Sequence, residues 1–173
     1  RMWRLKPFTR AETCLALESH GLDDDFIAMN IHMKTDHNIP LIHDNETSPE
    51  EFISTARIMI DEFFGGVAPK VFVATNDCKV MKKFRKLAEN WTFVSECDFE
   101  DYYTAHATGG HDVVEADRRF RKFFIEIYGM AISKVYIGSG ATNMAWWAFL
   151  MRQDRWSTTV LGPTVLNDTV STW

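Results

Sequence analysis

Several short segments concentrate residue types able to hold an anionic ligand or move a proton. Asn30, His32 and Lys34 stand two residues apart at the end of an apolar run, so on a strand they project to one side. Polar groups ending a buried strand are costly unless they face a ligand or solvent. His32 reads either as a satisfied rim histidine or as a ligand contact, and Lys34 and Asp36 just after it favour the contact. Thr75-Asn76-Asp77 ends a second apolar run; Asp77 suits a helix N-cap, a role compatible with lining a pocket. Gly138-Ser139-Gly140-Ala141-Thr142-Asn143 reads as a turn from strand into helix. Its glycines would let the backbone approach a ligand, and the helix start would offer free N–H groups to a phosphate. A glycine turn of this kind also serves packing. The loop from Asp36-His37 to His43-Asp44 and Glu46 offers carboxylates for a general base, but its irregular spacing argues against a cation site. Arg118, Arg119, Arg121 and Lys122 read as a solvated helix face, with phosphate binding as the alternative. The chain contains no G-x-G-x-x-G, no Walker A sequence and no G-x-S-x-G elbow, so simple NAD and ATPase readings fall away.

The chain that must position these groups has 173 residues, enough for one domain. With 46% hydrophobic and 25% charged residues it has the composition of a globular protein with a real core. The 19 Lys and Arg against 24 Asp and Glu leave a net charge of -5, which excludes a surface that binds nucleic acid as a whole. Any anion must be held locally. The longest apolar run, Met144 to Met151, falls far short of the roughly 20 residues of a membrane span, and no signal region opens the chain, so a soluble piece is expected. Cys14, Cys78 and Cys97 show no zinc-ligand spacing and are odd in number, which leaves the compartment open. Sequons at Asn45, Asn90 and Asn167 lean toward a lumenal or secreted setting, with coincidence as the alternative.

Two patterns alternate along the chain. Residues 9–20, opened by a Thr9 cap and stopped at Gly21, read as a helix. Residues 26–33 read as a buried strand, and Ser48-Pro49-Glu50-Glu51 starts a helix that runs to Phe64 and ends at Gly65-Gly66. A strand is expected at 71–75, a helix at 78–90 capped by Asp77, and a short strand at 91–95. An ordered, lid-like loop follows at 96–112, then a long helix at 113–132 and a strand at 134–137. The Gly138 turn leads into a last helix ending near Met151. Residues 152–173 read as a C-terminal tail or strap on a single Rossmann-like domain. Helices between short buried strands imply a doubly wound, mainly parallel α/β sheet with helices on both faces and ligands at the carboxyl ends of its strands.

The run Ile27-Ala28-Met29-Asn30-Ile31-His32-Met33-Lys34-Thr35-Asp36 resembles the strand and H-x-R-type motif of the fucosyltransferase superfamily. That superfamily includes the α-1,6-fucosyltransferases, the rhizobial nodulation fucosyltransferases and the protein O-fucosyltransferases. Further matches follow in the family's order. Trp3-Arg4-Leu5-Lys6-Pro7 is similar to the lead-in to the preceding helix, and Val71 to Asp77 resembles a strand ending in an A-T-D-D type turn. Phe124-Ile125-Glu126-Ile127 with Ala131-Ile132-Ser133-Lys134-Val135 resembles a later helix and strand, and Ser139 to Asn143 stands at the family's serine-rich phosphate turn. The resemblance covers about residues 3–151.

It implies the Rossmann-like donor-binding half of a GT-B glycosyltransferase: an inverting, metal-independent hexosyltransferase without a cofactor, with GDP-fucose as substrate and a glycan or protein as acceptor. It gives Lys34 the neutralisation of the departing diphosphate. Asn30, His32, Asn76 and Asp77 would shape the nucleotide-sugar pocket, Glu126 would stand near the base, and Gly138, Ser139, Gly140, Ala141 and Thr142 near the phosphates. The base itself would come from Asp36, Asp44 or Glu46. In a eukaryotic source the setting would be the Golgi or ER lumen.

Lys34 replaces the motif's arginine by a compact charge without the bidentate fork. Aligning Asn30 and His32 with the motif's histidine and arginine is a second register. A GT-B enzyme also needs a second lobe, for which this chain has no room, so a missing lobe of the same protein is an expected partner. Two other readings stay open: a noncatalytic nucleotide-sugar or carbohydrate-binding module, or a glycosyltransferase using another nucleotide sugar. An unrelated α/β enzyme or interaction domain is a further one.

Overall fold

The structure is a computed structural model that describes residues 5–22, 25–31, 47–75, 77–97, 113–139, 143–152 and 156–161. Helix α1, Pro7–Ser19, begins two residues before the expected start, with Pro7 in the first turn and no side-chain cap at Lys6. Proline's preset φ and missing N–H suit that position, and they start the helix ahead of Thr9. Strand β1 is Ile27–Ile31. Helix α2, Pro49–Phe64, has the expected bounds: the Ser48 hydroxyl accepts from Glu51 N, and Gly65 closes the helix at φ 61°. Ser48→Ala is expected to cost about 1 kcal/mol in a urea unfolding experiment, the usual worth of such a cap.

Strand β2 is Val71–Thr75, and helix α3 is Val80–Leu87, shorter at both ends than its sequence pattern. Asp77 Oδ1 accepts from Lys79 N at 2.9 Å, so Asp77 caps the turn before the helix and not the helix itself. Strand β3 shrinks to Phe93–Val94 because Ser95 leaves the ladder: its hydroxyl, not its backbone, bonds the Val73 carbonyl at 2.7 Å. Helix α4 is Val113–Ile132, strand β4 Val135–Ser139 and helix α5 Asn143–Met151. Residues 158–161, expected within a tail or strap, form a further strand, β5, Thr158–Leu161.

All described strand pairs are parallel, in the order β3-β2-β1-β4-β5. The result is the expected Rossmann-like α/β architecture, doubly wound outward from β1. Ile27, Met29, Ile31, Val71, Val73, Val135 and Ile137 pack with α2 and α3 around Phe52 and Phe84. Ala28, Phe72, Ala74 and Tyr136 pack on the opposite face with Leu17, Ile127, Met130, Ala145 and Ala148 of α1, α4 and α5. Strands β1, β2 and β4 are buried at every position, as sheets covered on both faces require.

Among the described residues no helix is long and apolar enough to cross a membrane. Cys78 and Cys97, left unpaired in the sequence reading, form a disulfide with Cα atoms 5.6 Å apart, and Cys14 is free. Each of the paired cysteines lies just past the carboxyl end of one of two adjacent strands. That shared position was the signal in the sequence for the pairing.

Candidate functional site

In a doubly wound sheet, crossovers leave the central strands toward opposite faces and open a crevice at their carboxyl ends. Here β1 leads through α2 to β2, whereas β4 is reached through α4 on the other face. The crevice therefore lies above β1 and β4. Its floor brings together Asn30, Ala74 and Gly138, since Asn30 is the register partner of both others. Asn30 is buried, and its Nδ2 donates to Ala74 O at 3.5 Å and approaches Met144 Sδ at 3.8 Å. Burying an amide under small residues fits a pocket floor better than a filled core.

Gly138 and Ser139 differ from the turn read in the sequence, because both belong to β4. Gly138 pairs with Asn30 on one side and Val160 on the other, and Ser139 pairs with Leu161. Strand β1 already holds Gly138 in the ladder, and the unforeseen strand β5 carries it on to Ser139. Gly138 is small for a packing reason: a Cβ there would stand 2.5 Å from the Tyr136 hydroxyl. That hydroxyl is fully buried and has no hydrogen-bond partner among the described residues. Burial pushes the phenol's pKa well above its ordinary value. Tyr136 was missed as a site neighbour because, within a buried strand, its sequence pattern is that of any core aromatic.

At the end of β2, Thr75 Oγ1 accepts from Asp77 N at 3.1 Å, so Asp77 sits in a turn organised by its own neighbours. The disulfide then fastens this turn to the end of β3, where Cys97 N donates to Ser95 Oγ at 3.2 Å.

Glu126 is placed differently from the strand-end residues. It lies on α4, 6% exposed, with Lys122 Nζ 4.0 Å from its Oε1, and that oxygen accepts no hydrogen bond from the described residues. Burial raises its pKa from 4.5 to about 7, against the pull of Lys122 and with a further push from Glu96. Glu96 in turn is 2.5 Å from His20 Nε2 at the end of α1. Of the basic residues on α4, Arg121 pairs with Asp117 at 2.7 Å and Glu12 at 3.0 Å, joining α4 to α1 as an exposed ion-pair face. The expected site residues His32, Lys34, Asp36, Glu46, Asn76, Gly140, Ala141 and Thr142 lie outside the described residues.

No family model matches the sequence, and no curated protein matches it. Among solved structures, POFUT1, crystallised in complex with GDP-fucose, is similar with a TM-score of 0.62 at 10% identity. The match covers 92% of this chain and 47% of that one, so the chain spans about half the length of POFUT1. At that identity the likeness is one of fold: this domain shares its Rossmann-like architecture with part of that protein.

Proposed function

We propose that the chain is the donor-binding domain of an inverting glycosyltransferase, binding a nucleotide sugar above β1 and β4. The observation that carries this reading is the fold shared, over 92% of the chain, with a protein crystallised with GDP-fucose. GDP-fucose is accordingly the donor we assign. A glycan or protein is the acceptor, and a second lobe of the same protein completes the enzyme.

Asn30 forms the floor of the donor pocket, and His32, Asn76 and Asp77 are assigned to contacts with the nucleotide sugar. An inverting transfer needs a base for the acceptor hydroxyl and stabilisation of the departing diphosphate. Lys34 supplies the charge, and Asp36 or Glu46 takes the proton. Gly138 has its backbone in the ladder on both sides, so the amides offered to the phosphates are those of Gly140, Ala141 and Thr142. No metal enters this scheme. Glu126 on α4, its pKa raised to about 7 by burial, is assigned a place near the base. The Cys78–Cys97 disulfide supports an oxidising, lumenal or extracellular setting.

Thermal shift without added metal, against GDP, UDP, ADP, CMP and their sugars, tests the reading. Ligand binding raises stability with the logarithm of concentration over Kd, so modest affinity registers. A selective rise with GDP and GDP-fucose is expected. A rise with UDP-sugars alone would keep glycosyl transfer and overturn the donor, and no rise with any nucleotide would overturn the domain's role. Lys34→Ala should weaken GDP binding by about 1–3 kcal/mol, the range for hydrogen bonds to a charged group. An unchanged calorimetric affinity removes Lys34 from the site.

A further inference from the structure

The disulfide closes a loop of the chain, from Cys78 to Cys97, that contains one of the three sequons, Asn90-Trp91-Thr92. The sequon forms the connection between α3 and β3. Trp91 is its inward residue: it packs on the core beside Phe84 and Phe93, its ring centroid 6.0 Å from that of Phe93. Its N–H donates to Ala88 O at 3.0 Å, and Thr92 O accepts from Val71 N at 2.9 Å. With the backbone held and the indole turned in, Asn90 and Thr92 on either side of it are both exposed. A sequon needs this arrangement to carry a large polar group without disturbing the core, since both the amide and the hydroxyl read with it face water.

We propose that Asn90 is an N-glycosylation site. Two independent observations meet there: the sequon is presented outward on a turn, and the loop that contains it carries a disulfide, which forms in the oxidising compartments where this modification occurs. The donor class is a preassembled oligosaccharide on a lipid diphosphate. The Asn90 amide nitrogen forms a bond to the anomeric carbon while the bond from that carbon to the diphosphate oxygen breaks. The lipid diphosphate leaves with the electron pair, and the amide proton passes to a base of the transferase.

The position also suits the fold. Asn90 precedes β3, the edge strand, at the amino end of the sheet, while the nucleotide is assigned to the carboxyl ends. A glycan there would screen the end strand of the described sheet from other chains and leave the donor crevice open. The inference shares with the proposed function only the oxidising compartment.

The test is the full chain produced through a eukaryotic secretory pathway and analysed by peptide mass spectrometry before and after an amide-cleaving glycosidase. The expected result is a glycan on the peptide containing Asn90, with that residue converted to aspartate on enzymatic release. Thr92→Ala should abolish it, and Thr92→Ser, which keeps the hydroxyl, should retain it. An unmodified Asn90 peptide from protein whose Cys78–Cys97 bond has formed overturns the proposal, as does glycan confined to Asn45 or Asn167. Asn90→Gln should leave the thermal shift with GDP unchanged, so failure of either idea is visible without the other.

Discussion

Replacing Arg152 with alanine is expected to destabilise the domain by about 3–5 kcal/mol, the range for breaking a buried charged network. Arg152 follows α5 and is 5% exposed. Its Nη1 donates to Met130 O at 2.8 Å, Ser133 O at 2.9 Å and Ser133 Oγ at 2.9 Å. Its Nη2 donates to Lys134 O at 3.2 Å and Ser157 Oγ at 2.8 Å. The guanidinium thus sits on the carbonyl end of α4, where the helix dipole is negative, and reaches from there to the start of β5. It also lies over the Tyr136 ring, 5.9 Å from its centroid.

Removing it leaves buried carbonyls without their donor, and each such loss costs about 1–3 kcal/mol. Arg152→Lys keeps a charge but offers no planar fork for five acceptors, so it should recover only part of the loss. Urea denaturation of the variants checks this. A loss under about 1 kcal/mol for the alanine variant would show that α4, β4 and β5 hold together without the clamp.

Glu126 should make stability depend on pH in the direction opposite to most carboxylates. Its folded pKa, about 7, lies above the unfolded value of 4.5, so the native state binds the extra proton between them. Stability from this group is complete below about pH 4.5, is lost as pH rises toward 7, and stays lost above that. At 1.36 kcal/mol per pH unit the difference amounts to about 3 kcal/mol. The groups facing Glu126 are Lys122 on its own helix and Glu96 after β3, which is held by His20 of α1.

Glu126→Gln keeps the shape without the ionisation. It should flatten the stability profile between pH 4.5 and 8 and gain on wild type most at the alkaline end. Chemical denaturation across that range measures the slope, and equal slopes in both proteins would mean that Glu126 ionises without cost. Glu96→Gln should move the midpoint of the fall to lower pH, because removing a neighbouring negative charge lowers the Glu126 pKa.

The periodicity of the sequence determined the elements with strong local signals. Ser48, Pro49 and Gly65 bound α2 because cap and stop chemistry act within a few residues. Val71 to Thr75 is a strand because a mainly apolar run rich in β-branched residues suits a sheet covered on both faces. The alternation of such runs with helices was enough for the fold class.

Tertiary structure decided what depends on residues far apart in the chain. Thr158 to Leu161 became a strand because the edge of β4 was open to it, and pairing with β1 and β5 turned Gly138 and Ser139 from a turn into a ladder. The Cys78–Cys97 bond, the buried guanidinium of Arg152 and the neutral carboxyl of Glu126 arise in the same way. Each is set by partners from 4 to 30 or more positions away, as with Glu126 and Glu96, and no local pattern encodes it. Local propensity acts through neighbours in sequence, whereas desolvation and pairing act through neighbours in space.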